Sequence, residues 1–172
     1  FRITRPKGFK FRSGEFVMIG LVDRNDKPIL RAYSICSPSW SEELEFYSII
    51  VKDGPLTSKL KNIKIGDEVI MMPKSTGTLV LDALRPGKRL FLLSSGTGFA
   101  PFAALIRDPE TYEKFENIIV THTCRITAEL NYSQSIIQEC RNDELVKEII
   151  DNKLLSYHST TRDNYIFNGR VS

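Results

Sequence analysis

The sequence predicts a two-part fold, an antiparallel β-barrel followed by an α/β doubly wound parallel sheet. Three observations predict it. About six short runs rich in Val, Ile, Phe and Tyr fill the first half, spaced by roughly 8–12 residues as in a small barrel. Leu84-Arg85-Pro86-Gly87 then interrupts that pattern. Beyond it, apolar runs alternate with helical periodicity, as in a parallel sheet with crossover helices. The boundary falls near Pro86-Gly87 and gives domains of residues 1–86 and 87–172.

At 172 residues the chain can hold one large domain or two small ones. Hydrophobic content of 41% and charged content of 26% fit a soluble globular protein. A net charge of +3 is too small to argue for nucleic acid, though a mild excess of Lys and Arg suits an acidic protein partner. No apolar run is long enough to span a bilayer, and no signal peptide opens the chain, so no membrane role is expected. Cys36, Cys124 and Cys140 are odd in number and far apart, forming neither a disulfide framework nor a metal-ligand set. That usage fits a reducing compartment, the cytoplasm. Phe1 reads as a strand already under way and 169–172 stop without a natural finish, so the chain is expected to be an internal piece of a longer protein.

Taken in order, 1–4, 15–22, 28–36, 44–52, 68–72 and 78–81 read as strands, with Lys7-Gly8, Ser13-Gly14, Arg24-Asn25-Asp26, Ile65-Gly66-Asp67 and Thr76-Gly77 as turns. The third strand carries Arg31-Ala32-Tyr33-Ser34. Alternation puts Arg31 and Tyr33 on one face, expected to be exposed, and Leu30 and Ala32 on the other. A cation beside a phenol suits a ligand with an anionic and a flat aromatic part, such as a flavin nucleotide. It equally describes a surface arginine packed on an edge-strand tyrosine. A helix over 54–63 interrupts the strands, with Pro55 in its first turn and Leu56, Leu60 and Ile63 as its buried stripe. Its free amides, its dipole and the Thr57 hydroxyl make an anion site suited to a pyrophosphate; the alternative is a short helix that only plugs the barrel. Tyr47 lies close by on its strand, as ligand contact or as packing.

In the second half 89–93 reads as a strand buried on both faces. It feeds Gly96-Thr97-Gly98 and a helix over 100–107; a strand over 117–123, helices over 128–140 and 143–151, and a strand over 154–160 follow. Ligands of such sheets bind beyond the carboxyl ends of the strands. There Gly96 and Gly98 allow close backbone approach and Thr97 offers a hydroxyl, although the full G-x-G-x-x-G fingerprint is absent. Arg125, Thr161-Arg162 and Arg170 follow the ends of successive elements, where arginines can clamp one phosphate, or simply be solvated loop residues. His122 and His158 read as packed, hydrogen-bonded histidines. Trp40 reads as an adenine platform or as a locally packed loop residue.

A barrel bearing Arg31-Ala32-Tyr33-Ser34, a helix opened by Gly54-Pro55-Leu56-Thr57-Ser58, and a parallel-sheet domain opened by Gly96-Thr97-Gly98-Phe99-Ala100-Pro101 together closely resemble the plant-type ferredoxin–NADP reductase family, and within it the bacterial ferredoxin/flavodoxin–NADP(+) reductases. The likeness extends to Phe11-Arg12-Ser13-Gly14-Glu15-Phe16 and Thr121-His122-Thr123-Cys124-Arg125. It implies a Greek-key FAD-binding barrel and an incomplete NADP-binding α/β domain. It further implies that Arg31 holds the FAD pyrophosphate, with Ala32 beside it, and that Tyr33 stacks on the isoalloxazine. Ser34 would reach flavin N5 after a local twist. Gly54, Pro55, Leu56 and Thr57 would form the pyrophosphate cradle with Tyr47 alongside. Thr97 would lie where nicotinamide meets flavin, with Gly96 and Gly98 also binding cofactor, while Arg125, Arg162 and Arg170, with Thr161 beside them in the cofactor site, select NADP over NAD. The implied catalytic residues are Tyr33, Ser34 and Thr97, with no metal. The implied reaction is hydride transfer between nicotinamide and flavin, then single-electron exchange with ferredoxin or flavodoxin, by a monomer. A reductase component of an oxygenase system and a non-catalytic flavin electron-transfer subunit remain as alternatives.

Overall fold

A computed structural model describes residues 1–23, 25–144, 147–150 and 152–170. The first half builds two small antiparallel sheets. β1 (Arg2–Thr4) pairs with β4 (Glu43–Glu45), and β2 (Phe16–Val22) lies between β3 (Pro28–Ser34) and β5 (Ile70–Met71). Ile35 N–H donates to the Glu15 carbonyl and Cys36 N–H to that of Glu45, joining the sheets into a barrel-like wall that is not closed by ladders among the described residues. Inside it Val17, Ile19, Tyr33, Ile35, Leu44 and Phe46 form an apolar core with Phe9, Phe11 and Leu56. The turn before β2 requires glycine: Gly14 has φ +97°, and a Cβ there would fall 1.7 Å from the Leu79 carbonyl oxygen.

Several elements differ from expectation. The 44–52 strand stops at Glu45 because Tyr47 turns toward the second half, donating to the Glu129 carbonyl at 3.1 Å and stacking on Tyr132 at 4.4 Å. The 68–72 strand shrinks to two residues. No strand forms over 78–81; Val80 and Leu81 are both buried, which a half-buried strand does not allow, and a 3-10 turn follows at Leu81–Ala83. The helix over 54–63 is one turn, α1 (Thr57–Leu60), with Pro55 outside it. The expected turn at Arg24 includes a residue outside those described.

Among the described residues the second half has three parallel strands, β6 (Gly87–Ser95), β7 (Phe115–Cys124) and β8 (Leu154–Thr160), in sequence order. α2 (Ala100–Arg107) and α3 (Pro109–Lys114) connect the first pair; α4 (Asn131–Asn142) and α5 (Lys147–Ile150) connect the second. Of the helix expected over 143–151, Leu145, Val146 and Asp151 lie outside the described residues. Leu90, Ile118 and Leu154 line up on one sheet face, as do Leu92 and Val120, and these pack with Ala103, Ile106, Ile136 and Ile137 in one core. β6 is therefore not buried on both faces. On the opposite face Phe91, Leu93, Leu155 and Tyr157 are 42–56% exposed, because the described helices pack against the other face. No described helix is long and apolar enough to cross a membrane.

Buried polar contacts join the halves. Arg107, at the end of α2, donates to Glu45 Oε2 at 2.6 Å and to the Cys36 carbonyl at 3.2 Å. Next to it Asp108 accepts from Ser13 Oγ at 2.6 Å and caps α3 by accepting from the Glu110 N–H.

Candidate functional site

Parallel register brings the carboxyl ends of the three strands together, with Ser95, Thr123 and Ser159 side by side and Thr123 Oγ1 2.7 Å from Ser159 Oγ. The loops that leave these ends are tied to each other. Thr161 N–H donates to the Cys124 carbonyl and Arg162 N–H to that of Arg125, at 3.0 and 2.9 Å. The chain then folds back through the Gly169 N–H, which donates to the Thr160 carbonyl and so returns Arg170 to the strand ends. Above them lies a cleft of about 630 Å³ whose polar wall includes Gly96, Thr97, Arg125, Thr161 and Arg170, with Tyr47 at its rim.

The cleft floor is the glycine loop, which forms a 3-10 turn, Gly96–Phe99. Gly96 has φ +51° and a Cβ there would meet nothing within 4 Å, so the backbone conformation, not crowding, favours glycine. Its carbonyl accepts from His122 Nε2 at 2.8 Å. A carbonyl cannot donate, so that nitrogen carries the hydrogen. The neutral ring then has Nδ1 as an acceptor 2.7 Å from Ser133 Oγ. Burial lowers the His122 pKa and pushes His158, 3.1 Å from the same hydroxyl, down to about 4. Both rings are thus neutral, hydrogen-bonded core groups. Burial also pushes the Cys124 thiol up to about 11 and the Tyr47 phenol up to about 12, so both stay protonated. The wall's charge comes from Arg125 and Arg170, opposed by Glu129.

The remaining predicted residues sit outside this cleft, all but Gly98 and Arg162 on the barrel side. Segment 46–51 connects the two. Phe46 is in the barrel core, Tyr47 is at the cleft, Ser48 Oγ donates to the Tyr33 hydroxyl at 3.4 Å, Ile49 lines the cleft, and Val51 exchanges bonds with Thr57 Oγ1 at 3.1 and 3.2 Å. Tyr33 is not on an exposed face as expected. It is 9% exposed because the rings of Phe1 and Phe46 meet it edge-on. Arg31 is exposed, and Nη1 donates to the carbonyl of neighbouring Leu30. Ala32 is exposed and Ser34 half-buried. The β2–β3 ladder runs unbroken from Phe16↔Ser34 to Val22↔Pro28, without the twist expected at Ser34. The Thr57 hydroxyl is occupied by Val51 and does not face an open anion site. A Cβ on Gly54 would fall 2.5 Å from that hydroxyl, which explains the glycine. Leu56 is buried in the barrel core and Pro55 precedes α1. Gly98 and Arg162 do not line the cleft, and Trp40 lies in a separate hollow with Arg107. The sequence reading missed Glu129, whose four-residue spacing from Arg125 was its one available signal.

No protein-family model matches the chain. It is 57% identical over 172 residues to the flavodoxin/ferredoxin–NADP reductase of Rhodobacter capsulatus, covering 100% of this chain and 64% of the relative. It is 46% identical over 172 residues to the ferredoxin–NADP reductase of Azotobacter vinelandii, covering 66% of that protein. Its fold matches the crystal structure of a ferredoxin NADP+ reductase from Neisseria gonorrhoeae with bound FAD and NADP. The TM-score is 0.85 at 25% identity, over 98% of this chain and 64% of the other. The chain thus spans just under two thirds of the length of these relatives.

Proposed function

Since this chain belongs to the bacterial ferredoxin/flavodoxin–NADP reductase family, we propose that it carries the nucleotide-binding units of a cytoplasmic oxidoreductase that moves electrons between NADPH and a ferredoxin or flavodoxin. In this reading residues 1–86 take FAD and residues 87–172 take NADP(H). The cleft is the observation that carries it: a glycine loop and two arginines on the carboxyl ends of parallel strands, where α/β sheets take nucleotides. Arg125 and Arg170, with Arg162 and Thr161 beside them, take the 2′-phosphate; Gly96 and Thr97, with Gly98, take the nicotinamide end. Three buried, unpaired cysteines support a reducing compartment.

The barrel side fits a flavin dinucleotide in part. Arg31 is exposed and keeps guanidinium donors for a pyrophosphate beyond its bond to Leu30. Ile49, Ile50 and Val51 are 45–63% exposed and offer an apolar bed for a flat ring. Among the described residues the amide of half-buried Thr57 meets no backbone acceptor and is left for an anion, whereas its hydroxyl is taken by Val51 and Leu56 is buried. Tyr33 is tied to that segment through Ser48 Oγ, and Tyr47 shares the cleft wall with Ile49. Bound there, the flavin would accept a hydride from nicotinamide and pass electrons on singly.

The test has three parts. Purified protein should be yellow, with FAD identified by mass. NADPH should be oxidised far faster than NADH with ferredoxin or flavodoxin as acceptor. Arg125→Ala should raise the KM for NADPH roughly tenfold or more and leave that for NADH unchanged, as expected for one lost charge-assisted contact. Equal rates with both nucleotides, or equal losses in the variant, would refute the reading.

A further inference from the structure

Arg125 does not stand free in the cleft. Its Nη2 lies 2.7 Å from Glu129 Oε1, and its backbone N–H donates to Glu129 Oε2 at 3.0 Å. One carboxylate thus takes a side-chain donor and the backbone donor of one residue. Arg162 and Arg170, by contrast, meet no acidic side chain among the described residues. Glu129 is also held in place. It sits on the 3-10 turn Thr127–Leu130, and its own carbonyl accepts from Tyr47 Oη at 3.1 Å and Cys124 Sγ at 3.5 Å. The mutual bond lowers the Glu129 pKa and raises that of Arg125, so both are charged at neutral pH.

A phosphate that binds Arg125 can use the Nε, Nη1 and remaining Nη2 hydrogens, but it then either shares the guanidinium with this carboxylate at like-charge distance or displaces it. We propose that Glu129 is a positioning residue that acts as an internal competitor, holding Arg125 in the free protein and setting the affinity of the phosphate subsite. The inference rests on the reading of Arg125 as a phosphate contact. The guanidinium is 56% exposed, so the pair is weak and a phosphate dianion can displace it. A nucleotide without the phosphate has nothing with which to displace it. Removing the carboxylate therefore strengthens phosphate binding alone.

The experiment is isothermal titration of this chain with 2′-phospho-AMP and with 5′-AMP, for the parent, Glu129→Gln, Arg125→Ala and the double variant. Glutamine keeps an oxygen for the Arg125 N–H while removing the charge. Glu129→Gln should bind 2′-phospho-AMP about two- to fivefold more tightly, the fold-change equivalent of an exposed ion pair, with 5′-AMP unchanged. In the Arg125→Ala background the same substitution should have no effect. Three outcomes overturn the inference while leaving the arginine site standing: unchanged or weaker 2′-phospho-AMP binding in Glu129→Gln; equal tightening of 5′-AMP; or the same gain without Arg125, which would mean a general field effect. If Arg125→Ala binds 2′-phospho-AMP like the parent, or no variant binds it, the arginine site fails and the inference with it.

Discussion

Replacing Arg107 by methionine removes a buried cation from the seam between the two halves. Arg107 and Glu45 are 13% and 10% exposed at a separation of 2.6 Å. Among the described residues the variant leaves Glu45 with one distant cationic partner, Arg2 at 3.6 Å, and removes the Arg107 donor from the Cys36 carbonyl. Losing one member of a buried pair costs about 3–5 kcal/mol, and the Arg2 contact places this case at the low end, about 3 kcal/mol. For a chain of this length that corresponds to a Tm fall of roughly 6–12 °C. Pairing it with Glu45→Met removes both charges, so the double variant should be more stable than Arg107→Met alone, with a coupling energy of about 2 kcal/mol or more. Urea unfolding followed by circular dichroism measures all four proteins. If Arg107→Met stays within about 0.5 kcal/mol of the parent, or the two single effects simply add, the seam is not held by this pair.

Two further outcomes follow from the packing. The folded pKa of His158 lies at about 4, below its ordinary value of about 6.5, so the unfolded chain binds the extra proton between those limits. That contribution to stability is whole above about pH 6.5 and is lost as pH falls toward 4, by on the order of 1 kcal/mol after allowance for partial exposure. His158→Asn should flatten the change in urea midpoint between pH 7.5 and 5.5; an unaltered slope would assign it to other groups. Gly14→Ala should cost well over 2 kcal/mol, because it combines positive φ with a Cβ 1.7 Å from a carbonyl oxygen. Gly66→Ala, with φ +99° but nothing within 4 Å, should cost only about 1 kcal/mol, and equal midpoints for the two would contradict that distinction.

Locally encoded features were readable in the sequence. α2 and β8 span the residues expected, because Pro101 opens an apolar helical period and 154–160 carries strand-forming residues after a turn. The glycine loop and the arginines beyond the strand ends follow from chain order in a parallel sheet. Features set by distant partners were not readable. Strands 44–52 and 78–81 had the right residues, but Tyr47 and Leu81 are claimed by the second half. Tyr33 looked exposed because nothing local announces that Phe1 covers it. α3 was missed although Asp108-Pro109 is a cap followed by a first-turn proline, because a six-residue helix shows too little periodicity.

Segment 46–51 gives successive residues different duties: barrel core, cleft rim, Tyr33, cleft wall and the Thr57 loop. An inserted or deleted residue there would put the positions beyond it out of step with these partners. Length variation is thus tolerable at open turns such as Gly8 and Gly66 and forbidden along these six positions, whatever side chains they carry.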